Sequence, residues 1–536
     1  MSERSRESST ATQNDQLLPM PVAAQLLSRA LDAAPWFTQV IAIVAFAYVL
    51  CQPVLLTPVL TVAVAVHLIS FVSLRRFLSP HRAQQHKAIP STPAAALSSE
   101  CPDDKVILVD MMSIDKCPDD KPGISIIKPI AGTNANLREN LESCFQLTYP
   151  KLEILFCLHD ADDKAVGVIE ELIARYPTVD ARLLYGEAEL EGASPKVRNM
   201  AKGYAQATHD IFWAIDAKIR TSDGDVDAMV ACLLGDAAVG LVHQLPWNQR
   251  GDDTGSIIER MFFGGTHARA YCLINGLGLP CTIGMSLMCK RSSWSAIGGC
   301  AALSVTVAED SLVGVLMQAK GYICAMAAVP CVQNPPPTSV CDIIRRRARW
   351  YQLKVFEMDG GRWVAPFDFW LEHTSLLCLV AAQLWTSTAD PCIVACGTLG
   401  VLAMCAALDI TYTRLIDAAA RAPIACPIGP SPPRVHVLRL AGLWLLNLLL
   451  PFAVIWRGLA TSTIVWDCNG TLKPMHPKPY SKHLAEHRAG EEHRHEAQRS
   501  SDDSDALRRS SDALMQPSHM VHDSPTLVRI NPLETA

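Results

Sequence analysis

Between Pro35 and Leu74 the chain carries no charged residue. A bilayer span needs about 20 apolar residues, so this run can hold one long span or a tight hairpin broken near Pro53 and Pro58. Arg75, Arg76 and Arg82 follow at once, and the positive-inside bias places the next segment in the cytosol. Three more apolar stretches lie at roughly 371–388, 391–410 and 437–456. Only 19% of residues are charged, against about a quarter in a soluble domain. The formal net charge of −6 gives no bulk attraction to nucleic acid, and no nucleic-acid partner is expected.

The layout follows from composition. Residues 1–35 are polar and lack a basic region joined to an apolar core, which argues against a cleaved signal peptide. Residues 36–74 form the anchor, and 75–122 a linker broken by Pro80, Pro90, Pro93, Pro102, Pro118 and Pro122. An α/β region is expected over 123–341, a basic amphipathic interface segment over 342–360, and about three transmembrane helices over 371–460. The stretch 473–536 is rich in His, Ser, Glu and Arg and poor in aromatics, as disordered tails are. The 19 cysteines show no metal-finger spacing. Many, such as Cys378, Cys392, Cys396 and Cys405, sit in apolar runs and read as buried thiols in a reducing compartment.

From Gly123 strands and helices alternate. Strands are expected at 124–128, 152–158, 179–184, 211–215 and 241–245. Helices are expected at 134–147 (capped by Asn134), 164–176, 194–207 with Pro195 at the first helical position, and 309–321. Such alternation implies a largely parallel sheet.

The strand Ile211–Ile215 ends abruptly in Asp216. Ligands of open α/β sheets sit outside the carboxyl ends of the strands, so Asp216 is the candidate metal ligand. Magnesium or manganese takes one or two carboxylates plus substrate phosphate oxygens. Asp160, Asp162 and Asp163 follow a second strand. One of them serves as a helix cap, while Asp160, with Asp162 second, can accept from a nucleobase or ribose. Glu309-Asp310 opens a helix, where acids are favoured by the dipole; a carboxylate there can also act as general base. Arg346 and Arg349 offer forks for phosphate oxygens, and Trp350 a flat apolar wall. The same residues suit a helix lying on a membrane surface. His267, a lone histidine in a small and apolar region, reads on chemistry alone as structural, and Lys202 and Lys218, which could touch phosphate, read as surface lysines.

In combination these residues resemble the inverting glycosyltransferases of the single-domain nucleotide-sugar (GT-A-like) fold. The order is Asp160, Asp216, Glu309-Asp310, then Arg-x-x-Arg-Trp at 346–350. The finer similarity is to the ceramide glucosyltransferases. It rests on Lys128-Pro129, Tyr149-Pro150-Lys151, Asp160-Ala161-Asp162-Asp163, Tyr176-Pro177-Thr178-Val179-Asp180-Ala181-Arg182, Ser194-Pro195-Lys196, Gly240-Leu241-Val242-His243, His267-Ala268-Arg269 and Cys281-Thr282-Ile283-Gly284-Met285-Ser286. The similarity covers about 120–355.

The resemblance implies an enzyme that transfers glucose from UDP-glucose to the primary hydroxyl of ceramide, with inversion, on the cytosolic face of Golgi or ER membranes. It implies Asp310 as base, Asp160 and Asp216 in nucleotide and metal binding, and Arg346, Arg349 and Trp350 at the diphosphate and acceptor. It also brings His267 to the nucleotide-sugar site. Two positions depart from common patterns. Lys218 stands where many relatives have a second Asp, and Arg346 stands where polysaccharide synthases commonly have Gln. A processive polysaccharide synthase and a non-catalytic scaffold of the same fold are the alternatives.

Overall fold

The computed structural model describes residues 65–74, 121–186, 190, 194–248, 251–279, 281–358, 391–421, 437–460, 463–468 and 471–475. Most of the expected N-terminal anchor, the stretch 371–388 and the tail beyond 475 lie outside these residues.

An eight-stranded sheet forms the centre, in the order β3-β2-β1-β4-β7-β6-β8-β5. Its strands are β1 (Ile124–Pro129), β2 (Leu152–Cys157), β3 (Asp180–Leu184), β4 (Ile211–Ile215), β5 (Ile219–Arg220), β6 (Val239–Asn248), β7 (Ser286–Lys290) and β8 (Ile323–Gln333). The first four pair in parallel, as alternation with helices requires. The expectation of a mainly parallel sheet needs correction for the other half. β7 runs antiparallel to both β4 and β6, and β5 antiparallel to β8, so the sheet is mixed. A buried polar chain locks β7 into this register. Trp213 Nε1 donates to Ser286 Oγ at 2.9 Å, Ser286 Oγ to Gln244 Oε1 at 2.5 Å, and Gln244 Nε2 to Asp225 Oδ1 at 3.0 Å. With every member bonded, such a network specifies one register where apolar contacts alone would allow slippage.

The helices are α1 (Ala65–Leu74), α2 (Leu137–Phe145), α3 (Ala165–Arg175), α4 (Pro195–Gln206), α5 (Asp223–Gly235), α6 (Thr254–Met261), α7 (Ala268–Gly276), α8 (Arg291–Ala296), α9 (Gly299–Leu303), α10 (Glu309–Ala319), α11 (Val340–Glu357), α12 (Pro391–Ala420) and α13 (Val437–Leu459). α2 begins later than expected: Asn136, not Asn134, is its cap residue, and Asn134 Oδ1 instead accepts from Asn136 N–H at 3.0 Å. α4 starts where Ser194-Pro195 predicts, with Ser194 Oγ accepting from Val197 N–H. It lies close on the sheet because Gly203 has no side chain: a Cβ there would sit 2.7 Å from Ile127 Cγ2 and 2.8 Å from Cys157 Sγ.

Two apolar clusters cover the two faces of the sheet. One joins Ile126, Phe156 and Trp213 to α2, α3 and α5; the other joins Phe212, Leu155 and Leu287 to α4, Trp294 and α10. Each buried large aliphatic or aromatic side chain contributes about 1.5–3 kcal/mol, which makes the sheet a rigid platform for its edge residues.

Ala395–Ala420 and Leu438–Leu459 are long and apolar enough to cross a bilayer. Both pack on the α/β body. Arg269, buried in α7, pairs with Asp409 of α12 at 2.5 Å, and Trp444 Nε1 of α13 donates to the same carboxylate at 3.0 Å. The expected basic amphipathic segment is α11. It lies against α13 through Ala348, Tyr351, Val355 and Val454, and Arg347 donates to Asn447 Oδ1 at 3.1 Å. A hairpin of β9 (Ile464–Cys468) and β10 (Thr471–Met475) follows. β10 therefore takes in residues 473–475, the start of the expected tail. Cys405 is buried as expected, whereas Cys392 and Cys396 are exposed on α12; Cys378 lies outside the described residues.

Candidate active site

β4 ends at Ile215, and the next residue turns out of the sheet. Asp216 N–H is held by the Met285 carbonyl at 2.9 Å, and the Asp216 carbonyl accepts from Ile219 N–H at 3.0 Å. The carboxylate thus projects at the carboxyl end of β4 from a backbone fixed on both sides. Lys196, in the first turn of α4, reaches it: Nζ lies 3.0 Å from Asp216 Oδ1 and 3.0 Å from Glu309 Oε1, and donates to the Gly284 carbonyl at 2.6 Å. Burial works against the charge on Lys196. The carboxylates of Asp216, Glu309 and Asp310 outweigh it and hold the ammonium above its ordinary pKa. Burial also pushes the Glu309 carboxyl up, with Lys196 opposing.

Asp310 completes this cluster. It sits in the first turn of α10, where Oδ2 accepts from Gly284 N–H at 3.2 Å and Oδ1 from Ser311 N–H at 2.9 Å. Thr282 Oγ1 donates to the Asp310 carbonyl. A buried anchor lies behind the helix start. Glu357, the last residue of α11, accepts from Val307 N–H at 3.1 Å, from Ala308 N–H at 3.0 Å, and from Thr306 Oγ1.

Lys218 brings in the Arg-x-x-Arg-Trp segment. Its Nζ is 3.9 Å from Asp216 Oδ2. Burial pushes its pKa down to about 8; Asp216 opposes this, while Arg346, Lys196 and Arg349 lower it further. Arg346 pairs with Glu259, buried on α6, and its guanidinium lies 5.2 Å from the Trp350 ring centre and 5.7 Å from that of Phe263. Burial, with Arg347 and Arg349 nearby, pushes Arg346 down to about 9. Burial also lowers Arg349.

His267 belongs to a different neighbourhood. It closes a π-helical turn, Phe262–His267, an arrangement frequent at functional sites. Its ring stacks on Tyr271 at 4.3 Å and meets Phe262 and Phe263 edge-on at 5.4 and 5.1 Å; those two phenylalanines pack on Trp350. Burial pushes His267 down to about 3, so it is neutral at physiological pH. Asp160 follows β2, two strands from β4 and so about 10 Å along the same edge at ordinary strand spacing. His159 Nε2 lies 3.7 Å from its Oδ1. Asp162 is exposed. Asp163 is the structural member of the trio: it accepts from Ala165 N–H at the start of α3 and from Gly132 N–H, each at 2.8 Å.

The fold therefore gathers Asp216, Glu309, Asp310, Arg346 and Arg349 around one edge, with Asp160 and Asp162 farther along it and His267 beneath Trp350. Sequence reading of single residues did not single out Lys196, Glu259 or Glu357. Lys196 could have been marked by its place in the first turn of a helix, where a cation is disfavoured by the dipole and calls for acidic partners. Glu259 and Glu357 carry no comparable local signal.

The profile of glycosyl transferase family 21 matches residues 102–471. Ceramide glucosyltransferase 3 of Caenorhabditis elegans is 37% identical over 248 residues, 46% of this chain and 54% of that protein. Ceramide glucosyltransferase 1 of the same organism is 35% identical over 46% of this chain and 53% of its own length. The chain thus spans about half the length of these curated relatives. A mannosyltransferase structure from Pyrobaculum calidifontis, in complex with GDP-Man and Mn2+, is 17% identical, with a TM-score of 0.38 over 68% of this chain and 98% of that one. With the profile running from the linker to the final hairpin and taking in the whole acidic and basic edge, the chain belongs to glycosyl transferase family 21.

Proposed function

We propose that the protein transfers glucose from UDP-glucose to the primary hydroxyl of ceramide, with inversion, at the cytosolic face of a Golgi or ER membrane. The observation that carries this reading is the meeting of Asp216 and Glu309 on the Lys196 ammonium, with Asp310 beside them, at the sheet edge of a chain of this family.

Asp310 acts as the base. Its Oδ atoms are held by two backbone N–H groups, so the carboxylate is oriented before substrate arrives. It takes the hydroxyl proton as the oxygen attacks C1 of the sugar, while the bond from C1 to the diphosphate breaks on the opposite face. Arg346 and Arg349 stabilise charge on the departing UDP, since fixed donors aimed at developing charge are usually the largest catalytic contribution. Asp160 and Asp162 accept from the nucleoside. Trp350, backed by Phe262, Phe263 and neutral His267, walls the acceptor side. α11 packs on the span-length helix α13, so the head group of a bilayer lipid can meet the site while its tails stay in the membrane.

A divalent ion on Asp216 fits these residues poorly. Both carboxylate oxygens already face ammonium groups, at 3.0 and 3.9 Å. Like unit charges 4 Å apart cost about 4 kcal/mol at an effective dielectric of 20, and a doubly charged ion beside two lysines multiplies that cost. No step is therefore assigned to a metal.

The test is a membrane assay with UDP-glucose and short-chain ceramide, reading the lipid product. Glucosylceramide is expected. Asp310→Asn should lower transfer by about 10²–10⁴-fold, the range for a lost general base, with UDP binding kept. Loss of UDP binding in that variant would sink the base assignment.

A further inference from the structure

One cation ties the acidic edge together, and each oxygen it meets belongs to a different segment. Lys196, on α4, donates from Nζ to the Gly284 carbonyl at 2.6 Å and lies 3.0 Å from Asp216 Oδ1 and 3.0 Å from Glu309 Oε1. An ammonium presents three donors, one for each of these oxygens. The Gly284 peptide passes the contact on: its N–H donates to Asp310 Oδ2 at 3.2 Å. With a cation on its carbonyl and a carboxylate on its N–H, this peptide makes two charge-assisted bonds, each about twice as strong as a neutral one, and each polarises the peptide in favour of the other. The residues on either side are tied down too. Thr282 Oγ1 donates to the Asp310 carbonyl, and the Met285 carbonyl accepts from Asp216 N–H at 2.9 Å. Residues 282–285 thus form a strap between Asp310 and the end of β4, with Lys196 bonded near its middle. The strap lies close on α10. A Cβ on Gly284 would stand 2.9 Å from Asp310 Cβ and 3.2 Å from Lys196 Nζ, an approach that glycine alone makes without displacement.

We propose that Lys196 is the positioning residue of the base: it holds the Gly284 peptide, and the peptide holds the Asp310 carboxylate in the orientation that meets the acceptor hydroxyl. This rests on the transferase reading above. Lys196 takes no part in the proton transfer. The hydroxyl proton passes to Asp310 as the oxygen attacks, and the ammonium keeps its own three protons throughout. Its bonds to Asp216 and Glu309 serve the same end, since they fix Nζ against two other elements and leave its third donor aimed at the strap.

The experiment uses the full-length chain in nanodiscs and measures kcat and KM for transfer from UDP-glucose to short-chain ceramide, beside equilibrium binding of UDP. Lys196→Ala should lower kcat about 10²-fold, the cost of a misplaced catalytic group, with KM for ceramide near wild type. Ethylammonium should raise kcat again in that variant, because a cavity of about 20 Å³ lined by Lys196, Leu287, Trp294 and Glu309 adjoins the side chain that is removed. Sodium at equal ionic strength should not. Lys196→Arg keeps the charge but replaces three radial donors with a planar fork, so kcat should fall about 10-fold or more while UDP binding holds. Gly284→Ala should also lose about 10²-fold in kcat, and the double variant with Lys196→Ala little more, because both changes disturb one link. Wild-type kcat in the Lys196 variants, losses that multiply in the double variant, or a Lys196→Arg defect confined to UDP binding overturns the proposal. Lys196→Arg and Gly284→Ala carry the test where Lys196→Ala fails to fold. A wild-type chain that binds UDP but glucosylates no ceramide overturns the transferase reading and this proposal with it; transfer that the Lys196 variants leave untouched overturns the proposal alone.

Discussion

Glu357 accepts a hydrogen bond from the backbone N–H of Ala308 at 3.0 Å, tying the end of α11 to the start of the helix that carries Asp310. The basic segment and the proposed base are thereby one mechanical unit. Glu357 is 1% exposed and also receives Val307 N–H and Thr306 Oγ1. Removing the carboxylate strands Val307 N–H and the Thr306 hydroxyl, at about 1–3 kcal/mol each, and leaves Ala308 N–H only its bond to Thr306 Oγ1 at 3.0 Å. Glu357→Ala should therefore lower kcat for transfer by about 10-fold or more, as a misplaced catalytic group does. Donor binding should stay near wild type, because the cations lie elsewhere on α11. Steady-state kinetics beside UDP binding will show the split; a change in KM alone would count against it.

Asp225 gives a pH dependence of stability. Burial pushes its carboxyl up to about 6, against the opposing bonds from Ser222 and Gln244. In the unfolded chain the group titrates near 3.9. Between these values the folded state binds more protons than the unfolded one, so this group's contribution falls as pH rises from about 4 to about 6 and stays lower above that. The difference is about 3 kcal/mol by the usual conversion. Asp225→Asn keeps an acceptor for the Ser222 N–H and removes the ionisation. Thermal unfolding in detergent at pH 5 and 7 should show a smaller decline for the variant than for wild type.

Arg269 and Asp409 form a buried pair between α7 and α12. Breaking such a pair from one side costs about 3–5 kcal/mol, whereas replacing both partners with apolar groups is often neutral. Asp409→Leu should sharply lower thermal stability, and Arg269→Met added to it should recover most of the loss. Absence of recovery would mean that Trp444, which also donates to Asp409, carries the greater share.

Gly264 lies where the π-helical turn meets α12. A Cβ there would stand 2.7 Å from Trp247 Cζ3 and 3.1 Å from the Thr413 Cα. Gly264→Ala should destabilise by about 1–3 kcal/mol, as overpacking does. Gly167, inside α3 with nothing near its missing Cβ, is the matched control: Gly167→Ala should stabilise by about 0.5–1 kcal/mol through helix propensity. The paired melting temperatures should move in opposite directions.

What the sequence determined by itself was the local half of this protein. Apolar runs of strand length closed by an acid, as at Ile211–Asp216, and the Ser194-Pro195 helix start are set by neighbours within a few residues, so they were legible. The same holds for the span-length helices and for the basic face of α11, whose periodicity is internal to the segment. The tertiary structure decided everything that depends on distant partners. The antiparallel insertion of β7 is fixed by the chain of bonds from Trp213 to Asp225, residues contributed by four separate elements. Lys196 becomes a hub only because α10 brings Glu309 and Asp310 to the end of β4. Glu357 acquires a role only because α11 returns to Ala308. Hydrogen bonds and ion pairs act over a few ångströms in space whatever the separation along the chain, and a local pattern holds no record of which distant group will arrive.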